Sequence, residues 1–296
     1  MTVLVTGAAG QLGATVSTRF ASEHRVVALD RSALDITDSD RVGDAIREAA
    51  PTVIVNCAAY NDVDGAEDDA VGALAVNAFG VRALARAARE VDATLVHYST
   101  DFVFDGTGTT PYTEDDRPNP QSVYAMSKLL GEWFAQDARA YVLRLESLFG
   151  GAARATPARA HGRRGGSLDR IADAILEGRE VPAFSDRTVS PSYVDDVADA
   201  TAALLAAAPP VGLYHCVGSG MATWVEVATH VARCLGRPAR IVPMRMDDRP
   251  LRAKRPRFCA LSNAKLAGVG IQMPTWQDAL SRYATARRVQ DPPEAE

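Results

Sequence analysis

The chain has 296 residues, 47% of them hydrophobic, and a formal net charge of −5 from 32 basic and 37 acidic side chains. That is enough apolar material for one large α/β unit or for two domains sharing a cleft. The acidic balance argues against a nucleic-acid footprint or a basic membrane-binding face. No segment at the start has the pattern of a signal peptide, and the longest uncharged apolar stretch, near residues 200–211, is too short and too Pro-terminated to cross a bilayer. A cytoplasmic protein is expected. The four cysteines, Cys57, Cys216, Cys234 and Cys259, form no metal-ligand spacing and fit reduced thiols in or near a core.

In chain order, TVLVTG (2–7) reads as a buried strand and GQLGATVSTRFAS as the helix after it. RVVALD (25–30) is a second strand, and residues 38–50 form a helix opened by an Asp or Ser cap. TVIVNCAAY (52–60) is a third strand, and residues 67–91 carry helical apolar spacing. ATLVHYSTD (93–101) is a fourth strand, 122–138 a helix, and AYVLRLES (140–147) a fifth strand. Continuously apolar strands alternating with helices predict a parallel sheet covered on both faces, doubly wound by right-handed crossovers. The second half is less regular. A Gly- and Arg-rich loop is expected at 150–166, helices at 167–178, 193–208, 223–236 and 275–286, a short strand at 212–218, and a disordered tail at 287–296.

After the first strand stand Gly7, Gly10 and Gly13. Gly7 permits a tight turn, Gly10 lets the backbone approach a pyrophosphate, and Gly13 lets the helix lie close to the sheet. The diphosphate then meets the free N–H groups of the helix start. A glycine triplet alone is weak evidence, but its place between strand and helix makes it strong. Asp30, at the end of the second strand, can bond the adenosine ribose hydroxyls, whereas Arg31 and Ser32 suit a 2′-phosphate. NADH and NADPH both remain open. Ala58 and Ala59, ending the third strand, leave room for the cofactor.

Lysine is scarce in this chain: only Lys128, Lys254 and Lys265 occur, and Lys128 lies one helical turn after Tyr124. YST (98–100) closes the fourth strand, and strand ends of a parallel sheet open onto the ligand crevice. Hydride reduction of a ketone produces an alkoxide that needs a proton. A tyrosine, whose free pKa is about 10, serves as the acid when a nearby ammonium stabilises its phenolate. Thr100 can hold the carbonyl oxygen through its hydroxyl, with Ser99 as the alternative.

These pieces resemble an extended short-chain dehydrogenase/reductase, and within that group the dTDP-4-dehydrorhamnose reductase family. The matching segments include GAAGQLG (7–13), VIVNCAAYNDVDGAE (53–67), VNAFG (76–80), VHYSTDFVFDGTG (96–108), NPQSVYAMSKLLGE (119–132) and RPRFCALSNAKL (255–266). The resemblance implies a Rossmann-type NAD(P)-binding domain over 1–150 plus roughly 187–215. A smaller C-terminal substrate domain, over roughly 151–186 and 216–286, would bind a nucleotide-diphosphate sugar. By matched position it implies Gly10, Gln11 and Leu12 on the diphosphate, Asp30 on the ribose and Asp35 and Ile36 near the adenine. Ala58, Ala59 and Tyr60 would lie along the cofactor, Thr100, Tyr124 and Lys128 would be catalytic, and Asp101 would face the sugar. The reaction would be NADPH- or NADH-dependent reduction of the C4 ketone of a dTDP-4-dehydro-6-deoxyhexose. Thr100 is followed by Asp101 and Phe102, without the Asp-Glu pair of related dehydratases, so dehydration is not expected.

The chain departs from the family in the part that reads the sugar. Where the family has Arg-Thr-Ser-Trp-Val-Tyr, this sequence has RLESLF (144–149), placing Ser147 at the tryptophan. The family's Asp-Gln-x-Gly-x-Pro-Thr appears as SDRTVSPSY (185–193), bringing in Arg187. Ser147 and Arg187 are therefore candidate substrate contacts, and Arg154, Arg159, Arg163 and Arg164 can be imagined closing on a diphosphate. Thr15 stands where some relatives carry an acidic ligand for a dimer-bridging Mg²⁺. No metal is expected, and either a monomer or a homodimer is. Two other readings are a non-catalytic regulatory subunit like that of methionine adenosyltransferase, and a sugar-nucleotide epimerase.

Overall fold

A computed structural model describes residues 1–151 and 166–290, the side chains of 288–290 excepted. The first half alternates as the apolar runs predict: β1 (Thr2–Thr6), α1 (Gln11–Ala21), β2 (Arg25–Leu29), α2 (Ser39–Ala49) and β3 (Val53–Asn56). There follow α3 (Ala70–Leu74), α4 (Val81–Glu90), β4 (Thr94–Thr100), α5 (Val123–Ala135) and β5 (Ala140–Leu145). A π-helical turn, Ala75–Gly80, joins α3 to α4. Asp38 caps α2, its side chain accepting from the Arg41 N–H.

The second half holds β6 (Leu148–Phe149), α6 (Ser167–Leu176), β7 (Val181–Phe184), β8 (Thr188–Val189), β9 (Ser192–Tyr193) and α7 (Val194–Ala207). It continues with β10 (Gly212–His215), β11 (Ala222–Thr223), α8 (Trp224–Leu235), β12 (Ile241–Met244), α9 (Ala264–Gly268) and α10 (Trp276–Gln290). The pairs β7–β12, β8–β11 and β6–β9 form three two-stranded sheets. These strands are two to four residues long, too short to show a periodicity in sequence. Helix α10 runs through Gln290, so residues 287–290 are helical where a disordered tail was expected. Positions 291–296 and most of the 150–166 loop, with its four arginines, lie outside the described residues.

Six strands form one parallel sheet in the order β10-β5-β4-β3-β1-β2. The chain leaves β1 toward β2 and returns to lay β3 on the other side of β1. That reversal opens a crevice beyond the carboxyl ends of β1 and β3. Helices α1 and α7 pack together over one face, and α2, α4 and α5 cover the other. The helical run Ala70–Glu90, 21 residues with mean hydropathy 1.2, is long and apolar enough to span a bilayer, which the sequence reading found nowhere. Here it lies between α2 and α5, and packing against them accounts for its apolar character.

One buried ion pair fixes the crevice wall. Glu132 accepts from Arg144 through two bonds, Nε to Oε1 at 2.8 Å and Nη2 to Oε2 at 2.7 Å, with both side chains at most 4% exposed. The Ser99 hydroxyl adds a third bond to Glu132 at 2.6 Å, and the Arg144 guanidinium lies 4.9 Å over the Phe104 ring. Removing one partner leaves a buried charge unpaired, at a cost of about 3–5 kcal/mol. We expect Arg144→Met to lower the unfolding free energy by that amount in urea titration; a loss under about 1 kcal/mol would show the pair to be dispensable.

Candidate active site

The glycine turn has the geometry that its sequence implies. Gly7 adopts φ +64°, and a Cβ there would come within 2.6 Å of the Ala58 nitrogen. A Cβ on Gly13 would lie 2.3 Å from the Gly7 carbonyl oxygen, so only glycine lets α1 start this close to the turn. Gly10 is exposed and its side faces open space apart from the Gly7 carbonyl, at 3.1 Å. The first turn of α1 thus offers backbone N–H groups to an anion beside a surface without side chains. Leu12 is 8% exposed and packs in the core, so only its backbone can meet a diphosphate. Gln11 is tethered to the Gly150 carbonyl through its amide at 2.7 Å.

At the adenosine end, Asp30 accepts from the Ser32 N–H (2.9 Å), the Ser32 hydroxyl (2.6 Å) and the Ala33 N–H (3.0 Å). Those bonds, the serine hydroxyl foremost, hold its carboxyl below the usual range. Asp35 is likewise engaged by Thr37, while Arg31 reaches it at 3.5 Å with its own side chain 87% exposed. Ile36 is buried against Gly80. Ala58 is positioned by its N–H on the Asn56 side chain (3.1 Å), and Asn56 continues to Thr6 and His97 across the strand ends.

Thr100, Tyr124 and Lys128 come together at the carboxyl end of β4 and the start of α5, all buried. Ser122 caps the helix. The Tyr124 ring meets Phe102 edge-on at 5.6 Å and shares an apolar cluster with Tyr60. Burial pushes the Tyr124 phenol up, the Asp101 carboxyl adds to this, and the Thr100 hydroxyl opposes it. Lys128 donates to the Tyr98 carbonyl at 2.6 Å, and burial brings its ammonium down to about 8. The Tyr-x-x-x-Lys spacing alone predicts that the lysine lowers the tyrosine's pKa. In this arrangement burial and Asp101 dominate, and the phenol is a firmly protonated donor. The Thr100 hydroxyl donates to Asp101 at 3.0 Å and accepts from the Phe102 N–H at 3.2 Å.

Several residues around the site were not singled out from sequence. Asn77, in the π-helical turn, holds the Tyr60 backbone through both its N–H (2.8 Å) and its carbonyl (3.0 Å), and donates to Ser127 of α5 at 3.0 Å. It thereby joins the loop after β3 to the helix of Tyr124. Its segment, VNAFG, was visible only as a family match. Glu132 lies one turn beyond Lys128, which periodicity alone reads as an ordinary helix position. Glu146 and Cys259 face Asp101 within 4.8 Å. Arg187 is half-buried beside them, its guanidinium 5.5 Å over Phe102. Ser147 is half-buried with φ +45°, a left-handed conformation at the turn from β5 to β6. On the far side, the segment around 252–255 is strapped to the loop after β3 by Arg255–Asp64 (2.8 Å), Arg252–Asp68 and the Ala253 N–H on Asp64 (3.1 Å).

A doubly wound sheet, a glycine turn at its switch point and a Thr/Tyr/Lys set in the same crevice define a short-chain dehydrogenase/reductase of the extended type. More narrowly, the chain belongs to the RmlD substrate binding domain family, whose model matches residues 1–289. It is similar to the dTDP-4-dehydrorhamnose reductase of Streptomyces griseus, with 37% identity over 94% of this chain and 91% of that protein. It is also similar, at 35% identity over 94% and 92%, to a protein of Streptomyces antibioticus named as a probable dTDP-4,6-dihydroxy-2-methyloxan-3-one 4-ketoreductase. Among solved structures, the dTDP-4-dehydrorhamnose reductase of Bacillus anthracis in complex with NADP superposes with a TM-score of 0.88. It is 29% identical, over 96% of this chain and 99% of that one.

The close approach at Gly13 gives a direct test. Gly13→Ala forces α1 away from the turn, and we expect NAD(P)H binding, read by cofactor fluorescence, to weaken at least about tenfold. Unchanged affinity would remove the glycine turn from the binding site.

Proposed function

We propose that this protein reduces the C4 ketone of a dTDP-4-dehydro-6-deoxyhexose with NADPH or NADH. The observation that carries the reading is the convergence of Thr100, Tyr124 and Lys128 on the crevice beside the glycine turn, in a chain of this family. The curated relatives named above bear ketoreductase names, which favours this over a regulatory subunit or an epimerase. Gly7, Gly10, Gln11, the Leu12 backbone and Gly13 hold the diphosphate, with Ala58, Ala59 and Tyr60 along the cofactor. Asp30 and Arg31 meet the adenosine ribose, and Asp35 and Ile36 border the adenine. The nicotinamide cofactor supplies the hydride. The strapped segment near 252–255 and the short sheets of the second half enclose the nucleotide sugar.

Thr100 turns its hydroxyl from Asp101 to the ketone oxygen and polarises it. Tyr124, kept protonated by burial, gives its proton to the oxygen as negative charge develops there. Lys128 bonds the cofactor ribose and favours the phenolate left behind. Burial and the Phe102 edge keep water from the phenol. Asp101 borders the sugar ring, and Ser147 takes the place of a flat apolar wall. The enzyme works in the cytoplasm as a monomer or homodimer.

The test is NAD(P)H oxidation at 340 nm with dTDP-4-dehydro-6-deoxyglucose or its epimerised product; no turnover across a panel of 4-keto sugar nucleotides would sink the enzyme reading. Tyr124→Phe should cut kcat at least about 100-fold while cofactor still binds. Lys128 must carry its proton, and its ammonium titrates near 8. kcat/KM should therefore fall as pH rises through about 8, and an alkaline limb beginning at about pH 10 would contradict the Lys128 role. At the ribose, Asp30→Ala should shift selectivity toward NADPH and Arg31→Ala toward NADH, each by about tenfold; ratios unmoved by either change would place the ribose elsewhere.

A further inference from the structure

Beside Thr100 lie three buried polar atoms that have no hydrogen-bond partner among the described residues. They are Asp101 Oδ2, Glu146 Oε1 and Arg187 Nε. Asp101 and Glu146 are only 3% and 2% exposed. Each carboxyl is anchored through its other oxygen: Asp101 Oδ1 accepts from Thr100 at 3.0 Å, and Glu146 Oε2 accepts from the Ser190 N–H at 2.6 Å. Arg187 is held over Phe102 and donates to Cys259 Sγ at 3.6 Å. Leaving such groups unpaired costs about 1–3 kcal/mol each, so a set of three is a place where a polar group would be favoured. A metal ion is a poor occupant, because the Arg187 guanidinium already supplies the positive charge facing Asp101, Glu146 and Cys259.

We propose that Glu146, Arg187 and Asp101 form a specificity subsite that binds the ring hydroxyl next to the reacting ketone, the C3 hydroxyl of the sugar. The inference rests on the ketoreductase reading above and deepens it. Its position follows from the chain itself. Thr100 takes the ketone oxygen on C4, and Asp101 is the next residue, bonded to that same threonine. Of the two ring carbons beside C4 in a 4-keto-6-deoxyhexose, C5 carries the methyl group and only C3 carries a hydroxyl. A hydroxyl can accept from Arg187 Nε and donate to Asp101 Oδ2 together. Glu146 completes the set as a donor. Burial and the facing Asp101 raise its carboxyl, with the Ser190 N–H and Arg187 opposing only in part. In its neutral form it accepts from the Ser190 N–H with one oxygen and presents an O–H from the other. Glu146 and Arg187 stand where the family pattern has serine and glutamine, so this subsite is a feature of this chain rather than of the family pattern.

The experiment compares kcat/KM for dTDP-4-dehydro-6-deoxyglucose and for its analogue lacking the C3 hydroxyl. A site that leaves buried polar groups unpaired rejects the deoxy analogue, so the wild type should prefer the hydroxylated substrate by about tenfold or more. Glu146→Leu should bring that ratio to near one. Glu146→Gln should retain the discrimination, because its amide accepts from Ser190 and donates inward as a neutral carboxyl does. Should Glu146→Leu fail to bind cofactor through misfolding, Arg187→Gln, on a half-buried turn, serves as the second variant and should also reduce the ratio. A wild-type ratio near one, or a ratio unchanged in Glu146→Leu and Arg187→Gln, overturns the subsite while leaving the ketoreductase standing. Turnover of neither substrate overturns both.

Discussion

The buried pair between Glu132 and Arg144 is the constraint on which the site depends. Helix α5 carries Tyr124, Lys128 and Glu132 at successive turns, so fixing the last fixes how the first two are rolled toward the strand ends. Arg144 lies on β5 and Ser99 on β4. Their bonds to Glu132 therefore tie the helix to two neighbouring strands. Buried ion pairs are seldom a net gain in stability over apolar packing. This pair's bidentate bonds, with that from Ser99, fix where Glu132 on α5 lies against β4 and β5.

From that anchor the polar interior extends in both directions. Asn77 clamps the loop after β3 to α5, and Asn56 links the ends of β1 and β3 to His97 in the middle of β4. Asn56 and Asn77 thus hold the elements that border the crevice through several hydrogen bonds each, which keeps them in place without substrate. The charges are arranged unequally. Near the glycine turn the protein offers N–H groups and bare backbone to an anion. Beside Thr100 it crowds Asp101, Glu146 and Arg187, and burial pushes both carboxyls upward. The same burial keeps the Tyr124 phenol protonated.

Most of the fold could be read from the sequence because the parallel strands are continuously apolar and the helices between them are long. The five strands and the helices of the first half lie within a few residues of their expected bounds. Strands β7, β8, β9, β11 and β12 could not be read, since two to four residues carry no period, whereas β10 falls within the strand expected at 212–218. The same limits apply to the site. Gly7, Gly13, Thr100, Tyr124 and Lys128 stand in fixed local spacings and were legible. Glu132, Glu146 and Cys259 matter through partners distant in the chain, and no local pattern marks such contacts. Ser147 and Arg187 stand out only as departures from the family pattern, and Glu146, beside Ser147 in RLESLF, carries no local mark; the fold alone sets it against Asp101.

In the proposed reaction the crevice directs a hydride to the ketone carbon of a 4-keto sugar nucleotide. The most direct measurement uses NADPH carrying deuterium at nicotinamide C4, in each of its two stereochemical forms in turn, with the product examined by proton NMR. The account predicts that one form delivers deuterium to C4 of the sugar, as a single epimer. Deuterium absent from C4 with both forms, or found at another carbon, would contradict it.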